Sequence, residues 1–267
     1  MNPASVPKFY GAFRDMVMIK LTQFKYIPKP GAEDTVHKVL QPAIRFTKED
    51  CLDLPEMLYT TREVPLTPQQ NKYYKVLKEQ MMIEAAGEEI TTVNAAVNLN
   101  KLLQLASGSA YTNSGEVVEF DASNRLNALE EIIEESSHKV LVFANFRHGI
   151  ELINNHLIKK GYTTGLIHGG VNAGTRAQIF NKFQTEADPK VLIIQPQSAA
   201  HGVTLTAANT IVWWGPVTSY ETYAQANARV HRAGQKNKCL VVQLSGCPVE
   251  DKLYRALQQK EKMQDSI

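Results

Sequence analysis

Two arginines and an amide at helical spacing are the side chains here best suited to chemistry. They lie in Tyr223-Ala224-Gln225-Ala226-Asn227-Ala228-Arg229-Val230-His231-Arg232-Ala233-Gly234-Gln235. As a single helix, this stretch projects Gln225, Arg229 and Arg232 (i, i+4, i+7) from one face. Such a face suits a polyanion, because each guanidinium keeps its charge and presents N–H donors in a fixed fork. Gly234 stands where a residue without Cβ most readily ends a helix. From these residues alone, an exposed salt-bridge pair is the alternative reading.

The elements that must carry this face begin after Asp121, where apolar strands alternate with amphipathic helices. Strands are predicted at Lys139–Ala144, Thr164–Ile167, Val191–Gln195, Thr210–Trp214 and Lys238–Leu244. Ser123 is the expected cap of a helix with Leu126, Leu129 and Ile133 inward. A second helix places Phe146, Ile150, Ile153 and Leu157 at helical spacing and stops at Gly161; a third runs from Asn172 with Ile179 and Phe183. A last helix starts at Pro248, with Glu250 and Asp251 in its positive first turn and Val249, Leu253 and Leu257 as its buried stripe. Continuous apolar runs such as Lys139–Ala144 belong to strands buried on both faces. The alternation therefore predicts a parallel α/β sheet covered on both sides. Ligands bind such sheets outside the carboxyl ends of the strands. That ranks Asn145-Phe146-Arg147, His168-Gly169-Gly170, Gln197 to Thr204 and Gly215-Pro216 above other loops. Trp213 and Trp214 are expected to pack at the sheet end.

Upstream the texture differs. Residues 1 to about 60 are read as irregular, broken by Pro3, Pro7, Pro28, Pro30, Pro42 and Pro55, with a short helix lined by Phe9, Tyr10, Phe13, Met16 and Val17 and a loop from Lys25 to Asp34. One strand is predicted from Tyr59 to Leu66. Thr67 and Pro68 then form a good cap and first residue for a helix through about Ala85. A second helix from Thr91 to Leu105 completes a hairpin that reads as a packing element. The expected organisation is 1–64 as an inter-lobe or linker segment, 65–120 as the hairpin, 121–247 as the α/β lobe and 248–267 as a bracing helix.

Composition narrows the class. With 267 residues, 43% hydrophobic and 21% charged, the chain has material for a sizeable core, and a net charge of +2 is too small to argue for a polyanion partner by itself. Cys51, Cys239 and Cys247 are odd in number and lack CxxC spacing, which speaks against zinc or a disulfide framework and for a reducing compartment. No apolar run reaches the ~18 residues of a membrane span, so a soluble intracellular protein with no membrane partner is expected. Absences matter as well: there is no Gly-Lys dipeptide for a P-loop, no acidic tetrad after a strand for Mg²⁺, no GxGxxG and no GxSxG. The paired arginines thus have no phosphate cradle or metal site of their own.

Gln225-Ala226-x-x-Arg229-x-His231-Arg232-x-Gly234-Gln235 resembles motif VI of the SWI/SNF-type ATPases of helicase superfamily two. Lys139 to Phe146 resembles the family's motif IV. Gly161-Tyr162 through His168-Gly169-Gly170, Arg176 and Phe183 resembles the block that follows, and Val191 to Asn209, with Gly202-Val203-Thr204-Leu205, resembles motif V. Leu54-Pro55, Leu66-Thr67-Pro68-x-Gln70-x-x-Tyr73 and Leu103-Gln104-x-x-Ser107-Gly108 look like the segment between the family's two lobes. The resemblance covers about Arg45 to the end. It implies a RecA-like, P-loop-NTPase-type second lobe with a helical and irregular amino-terminal extension.

It further implies that Arg229 and Arg232 reach ATP phosphates across a cleft, with Arg232 the better arginine finger. Gln225 would orient these groups or the nucleotide, and Gly202 would admit backbone close to the nucleotide. Arg147, His168, Gly169 and Thr204 are the implied contacts to the backbone of double-stranded DNA. ATP and Mg would be held in the complete two-lobe enzyme, through a first RecA-like lobe supplied in cis or in trans, and this chain alone would bind neither. Ser198-Ala199-Ala200-His201 and Trp213-Trp214-Gly215-Pro216 depart from the common family pattern toward short phage and bacterial members, hence the cytoplasm of a bacterial or phage-infected cell. A catalytically silent DNA- or protein-binding module and part of a strand-separating helicase are the rival readings.

Overall fold

Val140 to Ala144 have no accessible surface in the computed structural model, as a strand covered on both faces requires. The structure describes residues 6–42, 53–87, 92–112, 115–200 and 202–265; Cys51 and His201 lie outside them. Two compact units divide the chain, Met1–Asp53 and Leu54–Ile267.

The first unit holds α1 (Tyr10–Val17), the antiparallel hairpin of β1 (Met18–Lys20) and β2 (Tyr26–Pro28), and α2 (Ala32–Leu40). The expected loop from Lys25 to Asp34 is therefore replaced by a strand, a turn and the start of a helix. Thr22 makes that possible: its hydroxyl accepts from the backbone N–H of Lys25 and closes the hairpin turn. Among the unit's described residues, Val17, Ala32 and Val39 are buried. Phe9 and Tyr10, expected on the packed face of α1, are exposed.

The second unit begins with β3 (Met57–Glu63), which lies inside the 1–64 stretch and joins the main sheet. Next come α3 (Pro68–Gly87) and α4 (Thr92–Ala106), then a small antiparallel pair, β4 (Ser109–Tyr111) and β5 (Val117–Glu119). Thr67 and Gln70 form a reciprocal cap at the start of α3: the Thr67 hydroxyl accepts from Gln70 N–H, and the Gln70 amide oxygen accepts from Thr67 N–H.

The α/β part runs α5 (Ser123–Glu135), β6 (Lys139–Phe143), α6 (Arg147–Lys159), β7 (Thr164–Ile167), α7 (Ala173–Thr185), β8 (Val191–Ile194), a 3-10 turn (Pro196–Ala200), β9 (Ala208–Trp213), α8 (Tyr220–Asn227), β10 (Cys239–Ser245) and α9 (Pro248–Asp265). The six main strands lie in the order β3-β10-β9-β6-β8-β7, every neighbour parallel. Leu141, Phe143, Leu192, Ile194, Ile211 and Trp213 face one core, whereas Val140, Val142, Val191, Ile193 and Val212 face the other. Alternate residues of each strand thus serve opposite layers, as the continuous apolar runs predict.

Two local expectations are corrected. Ser123 is the first residue of α5 rather than its cap; Ala122 holds that position, and the Asp121 carboxylate accepts from Ser123 N–H instead. The inward stripe of α9 includes Glu250, Tyr254 and Leu257, with Leu253 only half-buried. Glu250 is inside because Arg125 of α5 meets it there, at 2.7 and 2.8 Å. Trp213 stacks between Phe143 and Tyr223, at centroid distances of 4.6 and 4.8 Å, and Trp214 donates to Ser107 O; both pack at the sheet end as expected. Among the described residues no helix is long and apolar enough to cross a membrane.

Candidate functional site

The stretch read as one helix is not one. α8 stops at Asn227, so Gln225 lies on the helix while Arg229 and Arg232 lie beyond it. A helix continuing to Gln235 would need the carbonyl of Arg229 for an amide four residues on. That carbonyl accepts instead from Leu205 N–H at 2.9 Å, and the Val230 carbonyl accepts from the side chain of Gln235. Val230, fully buried, pulls the chain into the core. Asn227 is held by Trp213, whose indole N–H donates to its amide oxygen at 3.0 Å. Gly234, at φ 97°, shapes the turn that follows rather than ending the helix.

Tertiary bonds therefore position the arginines. The Arg229–Arg232 turn is laced to the Gly202–Leu205 loop twice, by Leu205 N–H to Arg229 O and by the Arg232 guanidinium to Val203 O at 3.2 Å. Burial, and then the neighbouring charge of Arg232, lower the Arg229 guanidinium below arginine's ordinary value. Two half-buried cations that repel each other are relieved by an anion between them. Gly202, at φ 68°, has nothing within 4 Å of where a Cβ would stand, which leaves backbone open to a ligand. Thr204 is exposed on the same loop. Gln225 is exposed and donates to Glu221. His231 meets Pro55 O at 2.7 Å.

Gln235 holds the turn from beneath. Its buried amide N–H group reaches the carbonyls of Ala208 at 2.9 Å and of Thr206 and Val230 at 3.3 Å, while its oxygen accepts from Lys236 and Asn237 N–H. Gln235→Ala strands those buried groups, and the expected loss is about 2 kcal/mol of stability. Urea unfolding checks this, and a change below about 0.5 kcal/mol would contradict the role assigned to the amide.

A second cluster forms at the ends of β6, β7 and β8. Arg147 is exposed at the start of α6 and, among the described residues, pairs with half-buried Glu151, a bond worth little and easily exchanged. His168 accepts from Gly170 N–H through Nδ1 at 3.1 Å. A Cβ at Gly170 would lie 3.2 Å from that nitrogen and 4.0 Å from the Arg147 guanidinium, so Arg147, His168 and Gly169 share one surface. Asn145 donates to Pro216 O at 2.7 Å, tying the end of β6 to the turn after β9. Gln195 and the Arg125–Glu250 pair carry little signal in the sequence: a polar residue at a strand end and an acid in a first turn. Burial pushes the Cys239 and Cys247 thiols up to about 11, which makes them poor nucleophiles.

The donor set of Arg229, Arg232 and the Gly202 loop fits the phosphates of a nucleotide. Among the described residues no group of three or more His, Cys, Asp or Glu is placed to hold a metal ion.

Residues 124–234 match the helicase conserved C-terminal domain. The SWI2/SNF2 ATPase C-terminal domain of Sulfolobus solfataricus superposes with a TM-score of 0.60 at 21% identity, covering 79% of this chain and 90% of that one. The fold is that of a helicase carboxyl-terminal lobe. The SWI2/SNF2 ATPase core of the same organism in complex with dsDNA matches the lobe with a TM-score of 0.65 at 23% identity, covering 88% of this chain and 51% of that one. A chromodomain-helicase-DNA-binding protein 1-like protein of Danio rerio is 24% identical over 99% of the chain. The chain spans 26% of that relative's length.

Proposed function

We propose that this chain is the second ATPase lobe of an ATP-dependent double-stranded DNA translocase, presenting Arg229 and Arg232 to ATP and Mg held by a first RecA-like lobe in the same chain or a partner chain. The observation that carries the reading is the double lacing of the Arg229–Arg232 turn to the Gly202–Leu205 loop. Bound ATP supplies a γ-phosphoryl group on which negative charge must be stabilised during transfer. The two guanidiniums stabilise that charge, Gln225 orients them or the nucleotide, and Gly202 gives backbone access. Arg147, His168, Gly169 and Thr204 contact the phosphate backbone of DNA, which positions the duplex without reading its sequence. The dsDNA in the Sulfolobus SWI2/SNF2 complex supports this ligand class. Ser198-Ala199-Ala200-His201 and Trp213-Trp214-Gly215-Pro216 favour a short phage- or bacterial-type member acting in the cytoplasm.

The purified chain is expected to bind a duplex of about 20 base pairs with affinity that falls as salt rises, and to show no DNA-stimulated ATP hydrolysis. Adding a Walker-type first lobe restores hydrolysis. Robust turnover by the chain alone would overturn the division of labour, and duplex binding without restoration would favour a catalytically silent module.

A further inference from the structure

One side chain ties together the carboxyl ends of three strands. Gln195 follows β8, and its backbone N–H donates to Ile167 O of β7 at 2.8 Å. Its amide oxygen accepts from Gly169 N–H at 3.3 Å, and its amide nitrogen donates to Asn145 O, just beyond β6, at 3.1 Å. Its own carbonyl accepts from Ser198 N–H at 2.8 Å, which opens the Pro196–Ala200 turn. That turn leads to the Gly202–Leu205 loop on which Arg232 is anchored through Val203 O. Gln195 therefore stands between the Arg147–His168–Gly169 cluster assigned to DNA and the loop that carries Gly202, assigned to nucleotide phosphate, and Thr204, assigned to DNA.

We infer that Gln195 is a positioning residue that couples the His168–Gly170 turn to the Gly202–Leu205 loop, an inference that rests on the proposed DNA and nucleotide roles of those two segments. The residue type follows from the geometry. One amide must donate toward Asn145 O and accept from Gly169 N–H at the same time, which a carboxylate or an aliphatic chain of equal length does not do. The next residue, Pro196, has its φ fixed by its ring. A shift of the Gly169 turn that moves Gln195 is therefore poorly absorbed there and passes to Ser198 and Ala199. Ala199 is buried against the same core as Tyr223 and Ala226 of α8, so the displacement reaches the helix that leads into the arginine turn. Coupling of this kind needs a contiguous set of packed groups; these residues form one.

Hydrogen–deuterium exchange of the 267-residue chain, with and without a duplex of about 20 base pairs, tests the inference. In the wild-type chain the duplex is expected to slow exchange by about threefold or more both at Leu166–Val171 and at Pro196–Ala200, a segment with no proposed DNA contact of its own. In Gln195→Met, which keeps the length and loses both hydrogen bonds, slowing persists at Leu166–Val171 and disappears from Pro196–Ala200. Gln195→Glu keeps the acceptor for Gly169 N–H but loses the donor to Asn145 O, so the transfer is expected to be lost there too, although a polar side chain of the same length fills the site. A readout that needs no variant is the side-chain amide resonance of Gln195, which must shift when duplex is added. Protection confined to Leu166–Val171 in the wild type, unchanged transfer in Gln195→Met, or a silent Gln195 resonance overturns the inference while leaving DNA binding intact. Absence of any duplex-induced change overturns the DNA reading and the inference with it.

Discussion

Arg232→Ala in the complete two-lobe enzyme is expected to lower ATP turnover by about a thousandfold, near 4 kcal/mol of transition-state stabilisation, while changing ATP affinity by no more than about threefold. The size follows from what an arginine finger supplies: a fixed fork of donors aimed at charge that grows only during transfer. The lobe is built to keep that fork in place. One guanidinium nitrogen of Arg232 donates to Val203 O, which anchors a group that carries further N–H donors. Arg232→Lys keeps a charge and loses the fork, so most of the activity should go with it. Arg229→Ala should share the phenotype less severely, because it leaves the Arg232 fork anchored to Val203 O. Single-turnover hydrolysis at saturating ATP separates turnover from binding. Turnover within about tenfold of wild type would remove Arg232 from the catalytic step.

The sheet was legible because burial on both faces leaves a mark that composition alone reveals. Val140, Leu141, Val142 and Phe143 are apolar without alternation, and Thr164–Ile167 is a strand with the predicted bounds. The strand ends that were ranked as ligand positions do gather, Arg147 with His168 and Gly169. The arginine segment was legible in its chemistry and misread in its shape. Helical spacing from Gln225 to Arg232 is a local signal, whereas the bonds that break the helix come from Leu205 and from the side chain of Gln235. Neither donor is visible in the spacing of apolar residues. Gln195 was missed for a related reason: an amide at the end of a strand has no pattern of its own until Gly169 and Asn145 are brought beside it. The small hairpin in the first unit escaped because its strands are three residues each, too short to show a period.

Arg125→Met is expected to destabilise the second unit by about 3–5 kcal/mol, the largest loss foreseen for any single substitution here. Arg125 and Glu250 are 3% and 1% exposed, and their two hydrogen bonds measure 2.8 and 2.7 Å. Burial opposes the charge of the arginine, and Glu250 more than offsets that, so the guanidinium is held above its ordinary value. Each partner also serves backbone: Arg125 donates to Trp214 O at 2.6 Å, and Glu250 accepts from Gly246 N–H at 2.8 Å. Removing the arginine leaves a buried carboxylate without its counter-charge and a carbonyl without its donor. For a unit of this size, the expected fall in Tm is about 10 °C. A cycle of Arg125→Met, Glu250→Leu and the double variant identifies the cause, because the double variant removes both charges together and should recover much of the single loss. Residues 125 apart in sequence are pinned by this pair: the start of α5, the start of α9 and the Trp214-Gly215-Pro216 turn, which Asn145 in turn ties to the end of β6. Single variants that each cost less than about 1 kcal/mol would mean that packing alone holds those three segments together. The expected larger cost makes the buried pair the anchor from which the strand ends, and the loops that follow them, take their positions.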